Sequence, residues 1–199
     1  MSGTHVETLR DVSRTLLDLL TNNMGGVAVA LASPKNAGTN RLTLFLYKVT
    51  ENPDLKNAPP IVERNNGSLT ERHAPLTLDA YYLLTAHAAD GDLLEAHLAL
   101  SKAMGIFNDN GVIRGSLLRA ENDTGLTADS ILRVTLNPIS MEDMTRIWSV
   151  FPDTPYEISV SYLVTPVEID STVEVTGAPV VDQIHDQGHY QPELQGAGA

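Results

Sequence analysis

The sequence contains no cysteine, no long apolar run, and no lysine or arginine between positions 167 and 199. The lack of cysteine excludes a disulfide framework, a thiol nucleophile and a cysteine-ligated metal, and it fits a reducing compartment. No eighteen consecutive residues are apolar, and the first residues lack the basic and apolar regions of a signal peptide. We therefore expect a soluble protein that neither inserts into a membrane nor leaves the cell through a signal peptide.

Acidic residues dominate the charge, because the formal net charge is −12 at neutral pH. Half of that excess lies at positions 167–199, which carry Glu168, Asp170, Glu174, Asp182, Asp186 and Glu193. Anionic surfaces repel phosphate backbones, so no nucleic-acid partner is expected. The acidic segment is either a solvated end or a segment that docks on a basic partner, and both interpretations stay open.

The strongest pattern is a strand followed by a helix over residues 75–107. Apolar residues alternate along residues 76–86, which predicts a strand. Asp92 and Glu95 then supply an N-cap and its reciprocal carboxyl for a helix. The helical spacing predicts that one side of this helix faces the sheet, formed by Leu93, Leu94, His97, Leu98, Ser101, Met104 and Phe107.

The remaining patterns surround this unit. Thr4 and Glu7 form a capping-box pattern ahead of a helix that ends near Asn23. Strands are predicted at 27–32, 41–50, 129–136 and 155–164. A short helix capped by Ser140 directs Met144, Ile147, Trp148 and Phe151 toward the sheet. The predicted fold class is α/β in the α+β sense, with a single mixed, mainly antiparallel sheet flanked by helices.

Two segments depart from this regularity. Residues 51–74 contain repeated Asn, Pro and Gly, so we predict a long irregular arm, although a disordered surface loop fits the same composition. Residues 167–199 keep strand alternation only as far as Val175 and predict an extended C-terminal tail. The expected organisation is an α/β body at 1–166 and an acidic tail at 167–199. An extended segment of this kind suits the completion of a neighbour's sheet edge.

No arrangement of residues predicts catalysis. Residues 87–97 are rich in His, Asp and Glu, but Glu95 and His97 point about 200° apart on a helix. The aspartates there are explained by capping and turn formation. Nucleophile, phosphate-loop and dinucleotide motifs are absent from the sequence. We therefore expect no enzyme activity, no cofactor and no metal, and we keep an uncharacterised metal-dependent hydrolase as a minor alternative.

Several stretches, taken in order, carry a family resemblance. They are Arg41-Leu-Thr-Leu-Phe-Leu-Tyr with the following Asn52-Pro53, Pro75-Leu-Thr-Leu-Asp-Ala-Tyr-Tyr, Glu95-Ala-His97, Glu142-Asp-Met-Thr-Arg-Ile-Trp148 and the strand ending at Val164. Together, from Thr4 to Pro166, they resemble the tail-terminator or cap proteins of extracellular contractile injection systems, which are phage-tail-like particles of bacteria.

The resemblance implies structural work rather than chemistry. Such a protein forms a homo-hexameric ring that closes the far end of the inner tube and sheath, ends polymerisation and stabilises the extended sheath. It is assembled in the bacterial cytoplasm as part of a particle that is released or stays inside the cell. The implied contact residues are Leu55, Lys56, Arg64 and Arg72 in the arm, and Ile169, Val173 and Val175 in the tail. A binding adaptor that forms no ring is the alternative.

Overall fold

The computed structural model describes residues 7–65, 68–119 and 125–177. The described chain is built around a six-stranded sheet. The elements in chain order are α1 (Thr8–Asn23), β1 (Val29–Leu31), β2 (Leu42–Glu51), β3 (Ile61–Asn65), β4 (Ser68–Arg72), β5 (Leu76–Ala86), α2 (Leu93–Asp109), β6 (Val112–Arg114), β7 (Ile131–Leu136), α3 (Met141–Trp148), β8 (Ser159–Ile169) and β9 (Glu174–Gly177).

The large sheet has the strand order β1-β2-β5-β8-β7-β6. Only the β1–β2 pair is parallel among these described strands, and the other neighbours are antiparallel. The predicted fold class, α+β with a mixed and mainly antiparallel sheet flanked by helices, is confirmed. The sheet is not single as predicted, because a second sheet of three strands accompanies it. The long strands β5 and β8 lie at the centre, where both of their faces are covered.

Helices cover the two faces of the sheet unequally. Helices α1 and α2 pack on one face, and α3 packs on the other. The larger core includes Leu16 and Leu20 of α1, Phe107 of α2, and Tyr82 and Tyr162 of the central strands. The smaller core joins α3 to the opposite face through Leu83, Met144, Trp148 and Phe151. The predicted inward face of α3 is therefore correct, as is its N-cap, where the Ser140 hydroxyl accepts from the Asp143 amide.

Helix α2 is capped as predicted but packs on a different side. The Asp92 carboxylate accepts from the Glu95 amide at 3.1 Å. The buried side chains, however, are Ala96, Ala99, Leu100, Ala103 and Phe107, whereas most of the predicted set is exposed. The tyrosines on the sheet already fill the space beneath the helix, so alanines allow the closest approach.

The described part of α1 begins at Thr8, with Glu7 in the N-cap position. The Glu7 carboxylate pairs with Arg10, one turn ahead. The predicted capping box also needs Thr4, which lies outside the described residues, so the capping box stays a prediction.

Residues 61–72 correct the expectation of an irregular arm. They form the antiparallel pair β3–β4, and β9 adds to β4 to give a second, three-stranded sheet. Asn65 pairs with Ser68, so two residues separate the strands, which is the length of a tight hairpin loop. Among the described residues of the predicted arm, 52–60, with a turn at their start, and 73–74 stay without strand or helix. We call β3, β4 and β9 the small sheet.

Candidate assembly surfaces

The small sheet is a continuation of the centre of the large one. Along the chain, β4 leads into β5 and β8 leads into β9. Strand β4 pairs with β9 and β5 pairs with β8, both antiparallel. The last β5–β8 pair is Leu76 with Ile169, and Arg72 already pairs with Glu174. Between them the His73 amide donates to the Val173 carbonyl at 3.3 Å. Strands β4-β5 and β8-β9 thus form one two-stranded ribbon, about 55 Å long at the usual rise per residue.

A partly buried group of polar side chains, the Asn52 cluster, lies where the arm leaves the body. The Asn52 amide donates to the Asp79 carboxylate at 2.9 Å and to the Thr165 hydroxyl at 3.3 Å. The Thr165 hydroxyl donates to the same Asp79 oxygen at 2.6 Å. The side-chain oxygen of Asn52 accepts from the backbone amides of Asp54 and Leu55, which sets the turn that follows β2. Side chains from β5, from β8 and from the residue that follows β2 therefore orient the arm.

The Asn52 cluster also coincides with an irregularity in the ribbon. Leu78 pairs with Val167 and Ala80 with Val164, so Asp79 alone lies opposite Thr165 and Pro166. The Thr165–Pro166 peptide bond is cis. An extra residue on one strand is a β-bulge, and it leaves side chains free for the contacts just described. Proline suits this position because it has no amide to contribute to the ladder.

The arm residues predicted as contacts lie at its turn and on the small sheet. Leu55 is exposed at the turn after β2. Lys56 lies beside it, and its ammonium is 3.1 Å from the Glu51 carboxylate. Arg64 and Arg72 lie on β3 and β4, where their backbones pair with Leu69 and Ile61. These four residues thus all lie on the arm, at its turn or on its hairpin.

The predicted tail residues belong to the same ribbon. Ile169 ends β8, is half-buried and packs against the larger core. Val173 is exposed on the link to β9, and Val175 pairs with Glu71 of β4. The segment expected to complete a neighbour's sheet edge thus adds to a strand of its own chain. That all seven residues contact other molecules stays a prediction. The division of the chain at position 166 also stays a prediction, and β8 crosses that position. Residues 178–199 of the predicted tail lie outside the described residues.

Exposed apolar side chains lie along the arm. Large apolar residues at the surface invite a partner when they cluster on a projection rather than standing alone. Within the described residues, β3 and β9 have a neighbour on one side only, so each presents an unpaired backbone edge. The exposed apolar residues here are Leu55, Ile61, Val62, Leu76 and Val173.

A hydroxyl, an imidazole and a carboxylate meet inside the body, at the ends of β2, β5 and β8. The Thr43 hydroxyl is 2.8 Å from Nε2 of His87, and Nδ1 of His87 is 2.6 Å from Glu157. Burial lowers the pKa of His87, while the charge and hydrogen bond of Glu157 raise it less. This order of groups resembles a hydrolytic triad. The Thr43 side chain is 0% exposed, however, so no substrate reaches its hydroxyl.

The metal-ligand candidates are also accounted for by structural roles. His87 is used in the buried cluster, Asp92 caps α2, and His97 is exposed on the outer side of that helix. Across the part of the chain that the structure describes, no group of three or more His, Asp or Glu side chains is placed to hold a metal ion. Nor does any described helix have the length and apolar character needed to cross a membrane.

Comparisons with known proteins agree on one group. The model of the Pvc16 N-terminal domain family matches residues 11–183. One similar solved structure is the sheath/tube terminator of an extracellular contractile injection system, PVC, in its extended state. It is 17% identical with a TM-score of 0.64, over 94% of this chain and 65% of that one.

A second similar structure is the tube-terminating cap of the anti-feeding prophage. It is 17% identical with a TM-score of 0.60, over 96% of this chain and 61% of that one. The chain therefore spans less than two thirds of either structure. No curated protein sequence gives a significant match.

Proposed function

Because the chain belongs to the Pvc16 N-terminal domain family, we propose that it is a structural terminator that caps the tube and sheath of a contractile injection system. The observation that carries the proposal is the shared fold with a sheath/tube terminator along 94% of this chain. The arm supports the same role, since a ribbon anchored in the core and ending in exposed apolar residues suits contact with another subunit.

The proposed role needs no chemistry. The hydroxyl–imidazole–carboxylate arrangement described above has a fully buried hydroxyl, and its contacts join the ends of three strands. This supports a non-enzymatic protein over the hydrolase alternative. An adaptor without a ring is less well supported, because the fold matches two terminators rather than a free-standing binding module.

The finer proposal is a homo-hexameric ring that contacts sheath and inner-tube subunits. Subunits in a ring meet head-to-tail, so two different surfaces of each copy must be complementary. We assign the arm, with Leu55, Lys56, Arg64 and Arg72, to one of these surfaces. The strand of the ribbon formed by β8 and β9, with Ile169, Val173 and Val175, contributes to the same contact. Assembly takes place in the bacterial cytoplasm, where the sheath and tube polymerise.

The test is the sheath length of particles made without this chain. A terminator that ends polymerisation predicts a broad, unregulated length distribution in negative-stain images, and re-expression of the chain restores a narrow one. An unchanged distribution in the deletion strain contradicts the proposal.

A pair of single substitutions tests the arm separately. Val62 on β3 is 60% exposed and Val150, after α3 on the body, is 66% exposed. Changing either to Asp leaves a folded chain, because neither side chain is in a core. We expect Val62→Asp to lose incorporation into particles and Val150→Asp to keep it. Equal incorporation of both variants removes the arm from the contact.

A further inference from the structure

The outer side of α2 is an apolar face that the rest of the described chain leaves uncovered. Leu94 is 80% exposed, and Leu93 and Leu98 are 62% and 61% exposed. The opposite side of the helix already packs on the sheet through Ala96, Ala99, Leu100, Ala103 and Phe107. Helical periodicity directs Leu94 and Leu98 away from that packed side. Exposed leucines at this spacing are typical of helices that pack against another helix.

The spacing of the residues along this outer face is symmetric about the middle of the helix. Leu94, Leu98, Ser101 and Gly105 follow one another at spacings of four, three and four, so they form one line along the helix. Ser101 and Gly105 are exposed, and a side-chain carbon built on Gly105 meets nothing within 4 Å. Two large residues are thus followed by two small ones. In an antiparallel helix pair centred between positions 99 and 100, Leu94 faces Gly105 and Leu98 faces Ser101 of the other helix.

The charges on one flank of α2 are complementary under the same symmetry. Glu95 and Lys102 are seven residues apart and therefore lie on the same flank. The Lys102 ammonium donates to the Met24 carbonyl at 2.8 Å and keeps two further protons for a second partner. In an antiparallel pair the same flanks of the two helices meet. Glu95 of one helix then lies within about 3 Å, measured along the axis, of Lys102 of the other, and the converse pair forms too.

We propose that the outer face of α2 binds the same face of a second copy of this chain, as an antiparallel helix pair with two-fold symmetry. Size complementarity and reciprocal charge pairing identify the occupant as α2 itself. The helix is 17 residues long, or about 25 Å, so the pair alone buries less than the roughly 800 Å² per side of a standard interface. We therefore expect a dimer that dissociates in the micromolar range.

This contact is independent of the proposed ring. A two-fold contact occupies the same face on both partners and does not propagate, whereas ring contacts are head-to-tail. The pairing joins two free subunits, or two rings back to back, without using the arm. It neither needs nor tests the terminator role.

Cross-linking tests the register directly, because the chain has no cysteine of its own. Chains with Leu98→Cys are mixed with chains carrying Ser101→Cys and oxidised mildly. The proposal predicts a disulfide-linked heterodimer in high yield. The matched control uses Glu142→Cys and Arg146→Cys on the exposed side of α3, which should stay unlinked. Equal yields from the two pairs overturn the proposal.

A charge-swap series tests the pairing without cross-links. Sedimentation is measured at about 50 µM protein, above the expected dissociation constant. Glu95→Lys should weaken the dimer about tenfold, because two attractive pairs become repulsive. Glu95→Lys combined with Lys102→Glu should return the constant to within about threefold of the original. Leu98→Glu should give a monomer, and circular dichroism verifies that each variant folds. A wild-type chain that stays monomeric, or an oligomer indifferent to Leu98→Glu, contradicts the proposal.

Discussion

Replacing Asn52 by Ala is the most informative single change, because it removes the side chain that connects the arm to the body. Four hydrogen bonds depend on this amide, two to the turn amides of Asp54 and Leu55, and two to Asp79 and Thr165. The variant leaves the fold's apolar cores intact. We expect a loss of stability concentrated at the base of the arm.

The magnitude follows from the partners. A hydrogen bond to a charged and buried carboxylate such as Asp79 contributes about 1.5–3 kcal/mol, and the two exposed turn bonds contribute about 0.5 kcal/mol each. The free energy of unfolding should therefore fall by about 3 kcal/mol. For a chain of this size that corresponds to a melting temperature lower by about 6–12 °C.

Urea denaturation of the purified chain measures the loss, and amide hydrogen exchange locates it. Asn40→Ala is the control, because that side chain makes one hydrogen bond, to the Ala37 carbonyl, away from the arm. We expect the control to cost about 1 kcal/mol or less. Thr165→Val removes the second donor to the same carboxylate, so its effect should not add to that of Asn52→Ala. If Asn52→Ala stays within about 0.5 kcal/mol of wild type, the account of the arm's base is wrong.

Two further predictions concern the interior and the backbone. Burial lowers the pKa of His87 below its usual value of about 6.5, so the unfolded chain takes up a proton there before the folded chain does. Stability should thus fall as the pH drops through and below the unfolded value of about 6.5, and His87→Gln should reduce that slope in denaturation curves. Replacing each of two glycines by alanine should change the free energy of unfolding in opposite directions. Gly105→Ala should add about 0.5–1 kcal/mol by favouring the helix, whereas Gly125→Ala should cost about 1–3 kcal/mol, because its new methyl overlaps the buried Asp11 carboxylate.

Strand and helix periodicity predicted much of the fold. The alternation at 76–86 gave β5 without error, and the Ser140 and Asp92 caps marked two helix starts correctly. The face of α2 was not predictable from the same periodicity, because apolar residues surround this helix. Hydropathy favours the leucines for the core. The neighbouring tyrosines of the sheet, which are far away in sequence, leave room for alanines instead.

The arm shows a different limit of sequence reasoning. Residues 61–72 contain an Asn-Gly pair between two short segments of strand-forming residues, which is a hairpin signal, but the surrounding Asn and Pro obscured it. The Asn52 cluster had no local signal at all. Its members come from positions 52, 79 and 165, and only the register of three strands brings them together.

The continuity of the ribbon determines how the arm carries load. Cross-strand hydrogen bonds run perpendicular to the strands. A force applied at the tip along the strand direction therefore loads all of these bonds together in shear. A force applied at the tip across the strands breaks the bonds one after another from the end. A partner attached to the tip transmits force to the body when it draws along the ribbon, and peels the strands apart when it draws across it.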